Sequence, residues 1–218
     1  MTSIVIAIDG PAASGKGTLA KRIADHYGFA HLDTGSLYRA VGVATIRAGG
    51  DPSDPIAATK IAERLDLTLL DDPAIRTREA GPAASKVAVH PGVRAALLAF
   101  QRTFAKVPPH DAKGAVLDGR DIGTVICPNA HAKLFITATP EVRARRRFLD
   151  LCSQGSSLTE EAVLADIRER DARDSGRTAA PLLKAPDAIL LDTTDLDIEA
   201  AAARALSLVA RALRSKTA

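Results

Sequence analysis

Five short apolar runs, at residues 4–8, 30–32, 115–117, 134–136 and 189–191, recur along the chain. Their apolar residues are mostly consecutive rather than alternating with polar ones, the pattern of strands covered on both faces. Four of the runs are followed directly by an acid: Asp9, Asp33, Asp118 and Asp192. Between them, apolar positions return at helical spacing over 15–27, 36–48, 93–105, 140–151, 159–174 and 196–213. Pro140 suits a first helical position, with Thr139 as the N-cap before it. Strand and helix alternate, which predicts an α/β fold with a parallel sheet and right-handed crossovers.

Two stretches break the alternation. Residues 50–94 form mostly helical insert material punctuated by Pro52, Pro55, Pro73, Pro82 and Pro91. Residues 152–180 hold a polar loop and then a dense charge run. Each is too short to bury a core of its own, so the expectation is a single domain, 1–218, with two appendages.

Composition narrows the class. Hydrophobic residues make up 46% and charged residues 25% of 218, as in an ordinary globular protein. Aromatics are only 3% and Trp is absent, so the core must be aliphatic and base stacking on many aromatic rings is excluded. The net charge of +3 is too small for a bulk nucleic-acid binder. Two cysteines, Cys127 and Cys152, make no disulfide framework and suit a reducing compartment. No apolar run approaches the roughly 20 residues of a membrane span, and no basic segment precedes the first strand. The expectation is a cytoplasmic monomer acting on small molecules, without a membrane or nucleic-acid partner.

The strongest chemical signal is Gly10-Pro11-Ala12-Ala13-Ser14-Gly15-Lys16-Gly17-Thr18, between the first strand and the first helix. Such a loop turns backbone N–H groups inward around a phosphate chain, the helix N-terminus adds a favourable dipole, and Lys16 reaches the β- and γ-oxygens. The run fits G-x-x-x-x-G-K with one departure: Gly17 stands at the usual Ser/Thr position and Thr18 comes one residue later. This is a nucleoside-triphosphate site. The chain contains no Asn-Lys-x-Asp guanine reader, which argues against a GTPase, and it is too short for a motor or helicase.

Three further segments supply candidate chemistry. After the second strand, Thr34 or Ser36 with Arg39 one helical turn on suits a small anion, hydroxyl to oxygen and guanidinium as a planar fork. After the third strand, Asp118-Gly119-Arg120-Asp121 falls where parallel sheets bind ligands. There Arg120 offers a fork to phosphate, and the two acids suit a metal's water shell or a base amino group. Finally, Arg170, Arg173, Asp174 and Arg177 stand at i, i+3, i+4 and i+7, so a continuous helix would carry them on one face. Arginines on a mobile segment can close over phosphate chains. Arg143, Arg145, Arg146 and Arg147 form another basic cluster, of which some must face solvent.

In this order, D-G-P-x-x-x-G-K-G-T, L-D-T-G-S-L-Y-R, D-G-R-D-I-G-T-V and R-D-x-R-D-x-x-R before A-P-L, the segments resemble the bacterial cytidylate kinases, nucleoside monophosphate kinases of the P-loop NTPases. The resemblance runs from about residue 4 to the C-terminal helix. It implies a five-stranded parallel sheet flanked by helices, an acceptor-binding insert (50–94) and an Arg-rich lid (152–180). The activity implied is phosphoryl transfer from MgATP to CMP or dCMP. Carried over, Thr34, Arg39 and Arg120 would meet the acceptor phosphate, and Ser85, Arg94 and Asp121 the cytosine. Arg170 and Asp174 would bind the ribose, Arg177 would reach phosphates, and Asp118 would sit behind Mg²⁺. Relatives often carry a longer insert, so that of this chain is reduced. The rival readings are a P-loop kinase for another nucleotide or a metabolite such as shikimate, and a nucleotide-dependent switch.

Overall fold

The computed structural model describes residues 3–153, 155 and 157–217, with side chains through Ser215. Two residues of the polar loop, Gln154 and Ser156, lie outside the described residues. The chain forms two compact units, one of residues 1–32 with 105–218 and one of residues 33–104.

The first unit is built on a five-stranded sheet of order β2-β3-β1-β4-β5, the strands being β1 (Ile4–Asp9), β2 (Ala30–Asp33), β3 (Gly114–Gly119), β4 (Ala132–Thr137) and β5 (Ile189–Asp192). β1 pairs in parallel with β3 and β4, and β4 with β5. The central position of β1 explains its continuous apolar run, because both faces are covered. Ile6, Ile8, Val116, Leu134, Ile136 and Leu191 of the sheet pack with Leu19 and Ile23 of α1 (Lys16–Tyr27) and with Ala205 and Val209 of α8 (Ile198–Thr217). Small alanines on α8 let it lie close to the sheet, as expected of a core poor in aromatics.

The register aligns the strand ends where the chemistry falls. Asp9 lies opposite Gly119 on one side and Phe135 on the other, and Thr137 opposite Asp192. The phosphate loop and the Asp118–Asp121 segment therefore leave the sheet side by side, at its carboxyl edge. α6 (Pro140–Ser153) and α7 (Glu160–Ser175) pack on each other through Ala144, Leu151, Val163 and Ile167. Thr139 and Thr159 accept backbone N–H bonds at the starts of these helices, and Glu160 and Glu161 sit favourably in the first turn of α7.

The second unit begins with α2 (Thr34–Arg47) and continues through α3 (Pro55–Glu63), α4 (Ala80–Val87) and most of α5 (Pro91–Lys106). Its short elements are held by acid caps rather than by long apolar faces. Asp54 caps α3, while Asp66 and Asp72 cap the 3-10 turns Leu67–Asp71 and Pro73–Arg76. Such caps contribute about 1 kcal/mol each. Residues 50–94 are therefore a string of capped turns and short helices.

Candidate active site

The phosphate loop is shaped by two glycines. A Cβ on Gly10 would lie 2.0 Å from the carbonyl oxygen of Ile136, so the chain can pass β4 there only without a side chain. Gly15, at φ +83°, takes the left-handed conformation that turns the loop into α1. Ala13 also has a positive φ, 58°, without being glycine, which costs about 1 kcal/mol or more.

Three loop carbonyls are engaged by side chains, two of them from outside the loop. Lys16 Nζ lies 3.4 Å from the Pro11 carbonyl, Arg143 Nη1 donates to that of Ala12 at 3.2 Å, and Thr193 Oγ1 lies 3.3 Å from that of Ser14. Since the C=O and N–H of a trans peptide point in opposite directions, the Arg143 and Thr193 contacts leave the Ala13 and Gly15 N–H groups facing the other way, as a phosphate chain requires. The first turn of α1 carries no acid to oppose an anion. Ser14 Oγ is fully buried and has no hydrogen-bond partner among the described residues, while Thr18 is exposed.

Beside the loop, Asp9 holds the segment after β3. Its carboxylate accepts from the backbone N–H of Ile122 at 2.8 Å and of Gly123 at 2.7 Å, fixing the start of a π-helical turn, Ile122–Ile126. Burial pushes its pKa up to about 6, against the two N–H bonds that favour the charged form; nearby Asp121 raises it further and Arg120 lowers it. Asp118 is buried too, with Oδ2 2.9 Å from His31 Nε2 and Oδ1 3.9 Å from the Cβ position of Gly17.

Arg120 turns toward the segment after α6. Its Nε donates to Asp174 Oδ2 at 2.9 Å, and Arg177 Nη2 lies 3.3 Å from Asp174 Oδ1. Burial disfavours the charge of Asp174, but the guanidiniums of Arg120, Arg177 and Arg170 outweigh it and hold the carboxyl below its ordinary pKa. One expectation needs correction. Arg170, Arg173, Asp174 and Arg177 do not share one helical face, because α7 ends at Ser175 with Gly176 as its cap. Arg177 lies beyond the helix, buried, with Nε donating back to the Asp174 carbonyl at 3.2 Å. Arg173 pairs instead with Glu169 on the surface. The arginines are thus compensated in place rather than left to repel one another.

In the second unit, Thr34 is buried in the first turn of α2, and Arg39 Nη2 pairs with Asp33 Oδ2 at 2.6 Å in a half-exposed contact. Ser85 is buried on α4. Arg94 lies over the Tyr38 ring, 5.6 Å from its centroid, and Nη1 donates to the Ala88 carbonyl at 3.3 Å.

Sequence reasoning passed over Asp9, His31, Tyr38 and Arg143. Asp9 read only as a strand terminator. Arg143 stood in a four-arginine cluster whose inward members were not separated. The structure places Arg143 and Arg146, one turn apart, inward, while Arg145 and Arg147 pair with Glu160 and Asp150 at the surface. That i, i+3 spacing was the available signal.

A family model described as cytidylate kinase matches residues 6–211. The chain is 60% identical over 210 residues to a cytidylate kinase of Caulobacter vibrioides, covering 95% of this chain and 97% of the relative. It is 61% identical over 206 residues to one of Xanthobacter autotrophicus, covering 94% and 97%. Among solved structures, an uncharacterized protein from Eubacterium ventriosum superposes with a TM-score of 0.51 at 15% identity, covering 98% of this chain and 99% of that one, which shows the fold alone. On these matches, over nearly its whole length, the chain belongs to the cytidylate kinase family.

Proposed function

We propose that the chain transfers the γ-phosphoryl group of ATP to CMP and dCMP, giving ADP and CDP or dCDP. Family membership supports this reaction. The observation that carries it in this molecule is the company of the phosphate loop: Lys16 within it, and the cluster of Arg120, Asp174 and Arg177 in the same unit.

The acceptor phosphate oxygen forms a bond to the γ-phosphorus while the bond to the β,γ-bridging oxygen breaks, and ADP leaves. A CMP phosphate is already largely ionised near neutral pH, so no strong general base is needed. Positioning and charge neutralisation lower the barrier. Gly10, Pro11, Ala12, Ala13, Ser14, Gly15, Gly17 and Thr18 form the cradle for the donor phosphates, and Lys16 follows charge onto the β- and γ-oxygens. Arg120, Arg170 and Arg177 offset the charge of the transferring group.

Residues 33–104 supply Thr34 and Arg39 for the acceptor phosphate and Ser85 and Arg94 for the base, with Asp121 taking the cytosine amino group. The Asp33–Arg39 pair is half-exposed, so a phosphate can replace the carboxylate at little cost. Asp174 keeps acceptor capacity for ribose hydroxyls beyond its contacts to Arg120 and Arg177, because a carboxylate offers about four lone-pair sites. Residues 152–180 serve as a lid over the donor phosphates.

The donor set fits Mg²⁺ held chiefly by the nucleotide. Among the described residues no cluster of three or more His, Cys, Asp or Glu could cage an ion. One buried carboxylate, Asp118, stands at the first turn of α1, and magnesium bound to phosphates and water needs only one or two. When bound, the ion would neutralise β- and γ-oxygens. Asp118 would hold its water shell.

Among the described residues no helix is long and apolar enough to cross a membrane. Both cysteines are free, which supports a cytoplasmic setting. Phosphorus NMR of the protein with MgATP and CMP tests the reaction: the β-phosphate signal of CDP should grow in step with ADP. Release of inorganic phosphate without CDP would contradict it.

A further inference from the structure

Arg143 is 3% exposed, although it belongs to a cluster whose other members lie partly or wholly at the surface. All three of its guanidinium nitrogens are used. Nε donates to the Ala138 carbonyl at 2.9 Å, just past the end of β4. Nη1 donates to the Ala12 carbonyl at 3.2 Å and to Asp171 Oδ1 at 3.1 Å, and Nη2 to Asp171 Oδ2 at 2.6 Å. A single side chain thus joins the sheet, the phosphate loop and α7. Independently, the side chain of Ala13 packs against the apolar cluster between α6 and α7.

We propose that Arg143 is a positioning residue of the donor site, which fixes the Ala12–Ala13 peptide of the phosphate loop and makes the loop's shape depend on α7 through Asp171. The Ala12 carbonyl held by Arg143 points the Ala13 N–H of the same rigid peptide the opposite way. Ala13 sits at a positive φ that an alanine adopts only when its surroundings enforce it. Arg143, through the Ala12 carbonyl, and the α6–α7 cluster, through the Ala13 side chain, supply that enforcement. The planar fork matters: a lysine carries the same charge but cannot reach Ala12, Ala138 and both oxygens of Asp171 together. The inference rests on the loop being the ATP site, and it is independent of which acceptor is phosphorylated.

The test uses the full chain, with the dissociation constant of MgATP measured calorimetrically in the absence of CMP, alongside thermal melting and hydrogen exchange of residues 10–16. Arg143→Lys should weaken ATP binding by about tenfold or more, the loss of charge-assisted hydrogen bonds at a ligand-shaping loop, and should speed exchange in the loop. Asp171→Asn, at a half-buried position, should shift both readouts the same way by a smaller factor while melting near wild type. Wild-type ATP affinity in folded Arg143→Lys would overturn the positioning role, as would a lower melting temperature without loss of affinity. If that variant does not fold, Asp171→Asn decides: unchanged affinity and loop exchange overturn the dependence on α7. Absence of ATP binding by the unsubstituted chain would instead refute the donor-site reading itself.

Discussion

Arg120 Nε donates to Asp174 Oδ2 at 2.9 Å, joining two residues 54 positions apart in the chain. Asp174 also meets Arg177, so one buried acid balances the guanidiniums of Arg120 and Arg177. Removing the acid leaves cations without a counter-charge, at about 3 kcal/mol for a buried pair. We expect Asp174→Ala to unfold at markedly lower denaturant than wild type, and Arg120→Ala to cost less. The double variant should lose less than the sum of the two, by about 1–3 kcal/mol. Additive losses in a urea-melt cycle would show that the contact carries no coupling.

Asp9 makes stability depend on pH in a direction opposite to a salt-bridged carboxylate. Its pKa rises from 3.8 to about 6 on folding because it is buried. Between those values the folded protein holds a proton that the unfolded chain has released. Its contribution is therefore full below about pH 4 and is lost as pH rises through 6, by about 3 kcal/mol in all. Asp9→Asn cannot titrate, so its unfolding free energy relative to wild type should shift in its own favour from pH 4 to 7. A difference independent of pH, measured by denaturant titration at each pH, would remove Asp9 from this role.

Lys16→Ala should lower kcat by on the order of a hundredfold or more, since a cation aimed at developing charge in a dry site contributes several kcal/mol. Melting should change little, because Lys16 is only partly buried and the contact of its ammonium to the Pro11 carbonyl is long, at 3.4 Å. Steady-state rates at saturating ATP and CMP check this. Near-native turnover would exclude the lysine from the transferring phosphoryl group.

The sheet was legible in the sequence because strands buried on both faces leave continuous aliphatic runs. All five expected runs fall inside observed strands, each strand extending them by one to three residues. The turn from β1 into α1 was legible because Gly10 and Gly15 stand where the backbone leaves no room for a side chain or takes a left-handed conformation. What was not legible depends on direction rather than spacing. Arg143 and Arg145 look alike in the chain, yet one is buried against Ala12 and the other pairs with Glu160 at the surface. The end of α7 falls within one residue of the expected 159–174, but the face drawn through Arg177 ran on past it across Gly176, so Arg177 was assigned a face it does not have.

On the proposed reading, Arg94 and Asp121 each meet the cytosine. Arg94→Ala and Asp121→Ala should each raise KM for CMP, while KM for ATP stays within a factor of about two. Each would leave a polar edge of the base unpaired, at about 1–3 kcal/mol or roughly ten- to hundredfold. Equal rises in both constants would make the two residues structural.

The most direct measurement is the initial rate of ADP release from MgATP with CMP, dCMP, UMP, AMP or shikimate as acceptor, or with none. The account predicts rates with CMP and dCMP that exceed the acceptor-free rate by orders of magnitude, weaker response to UMP and AMP, and none to shikimate. An ADP-release rate that is the same with and without CMP would contradict it, and so would a clear preference for any other acceptor in the panel.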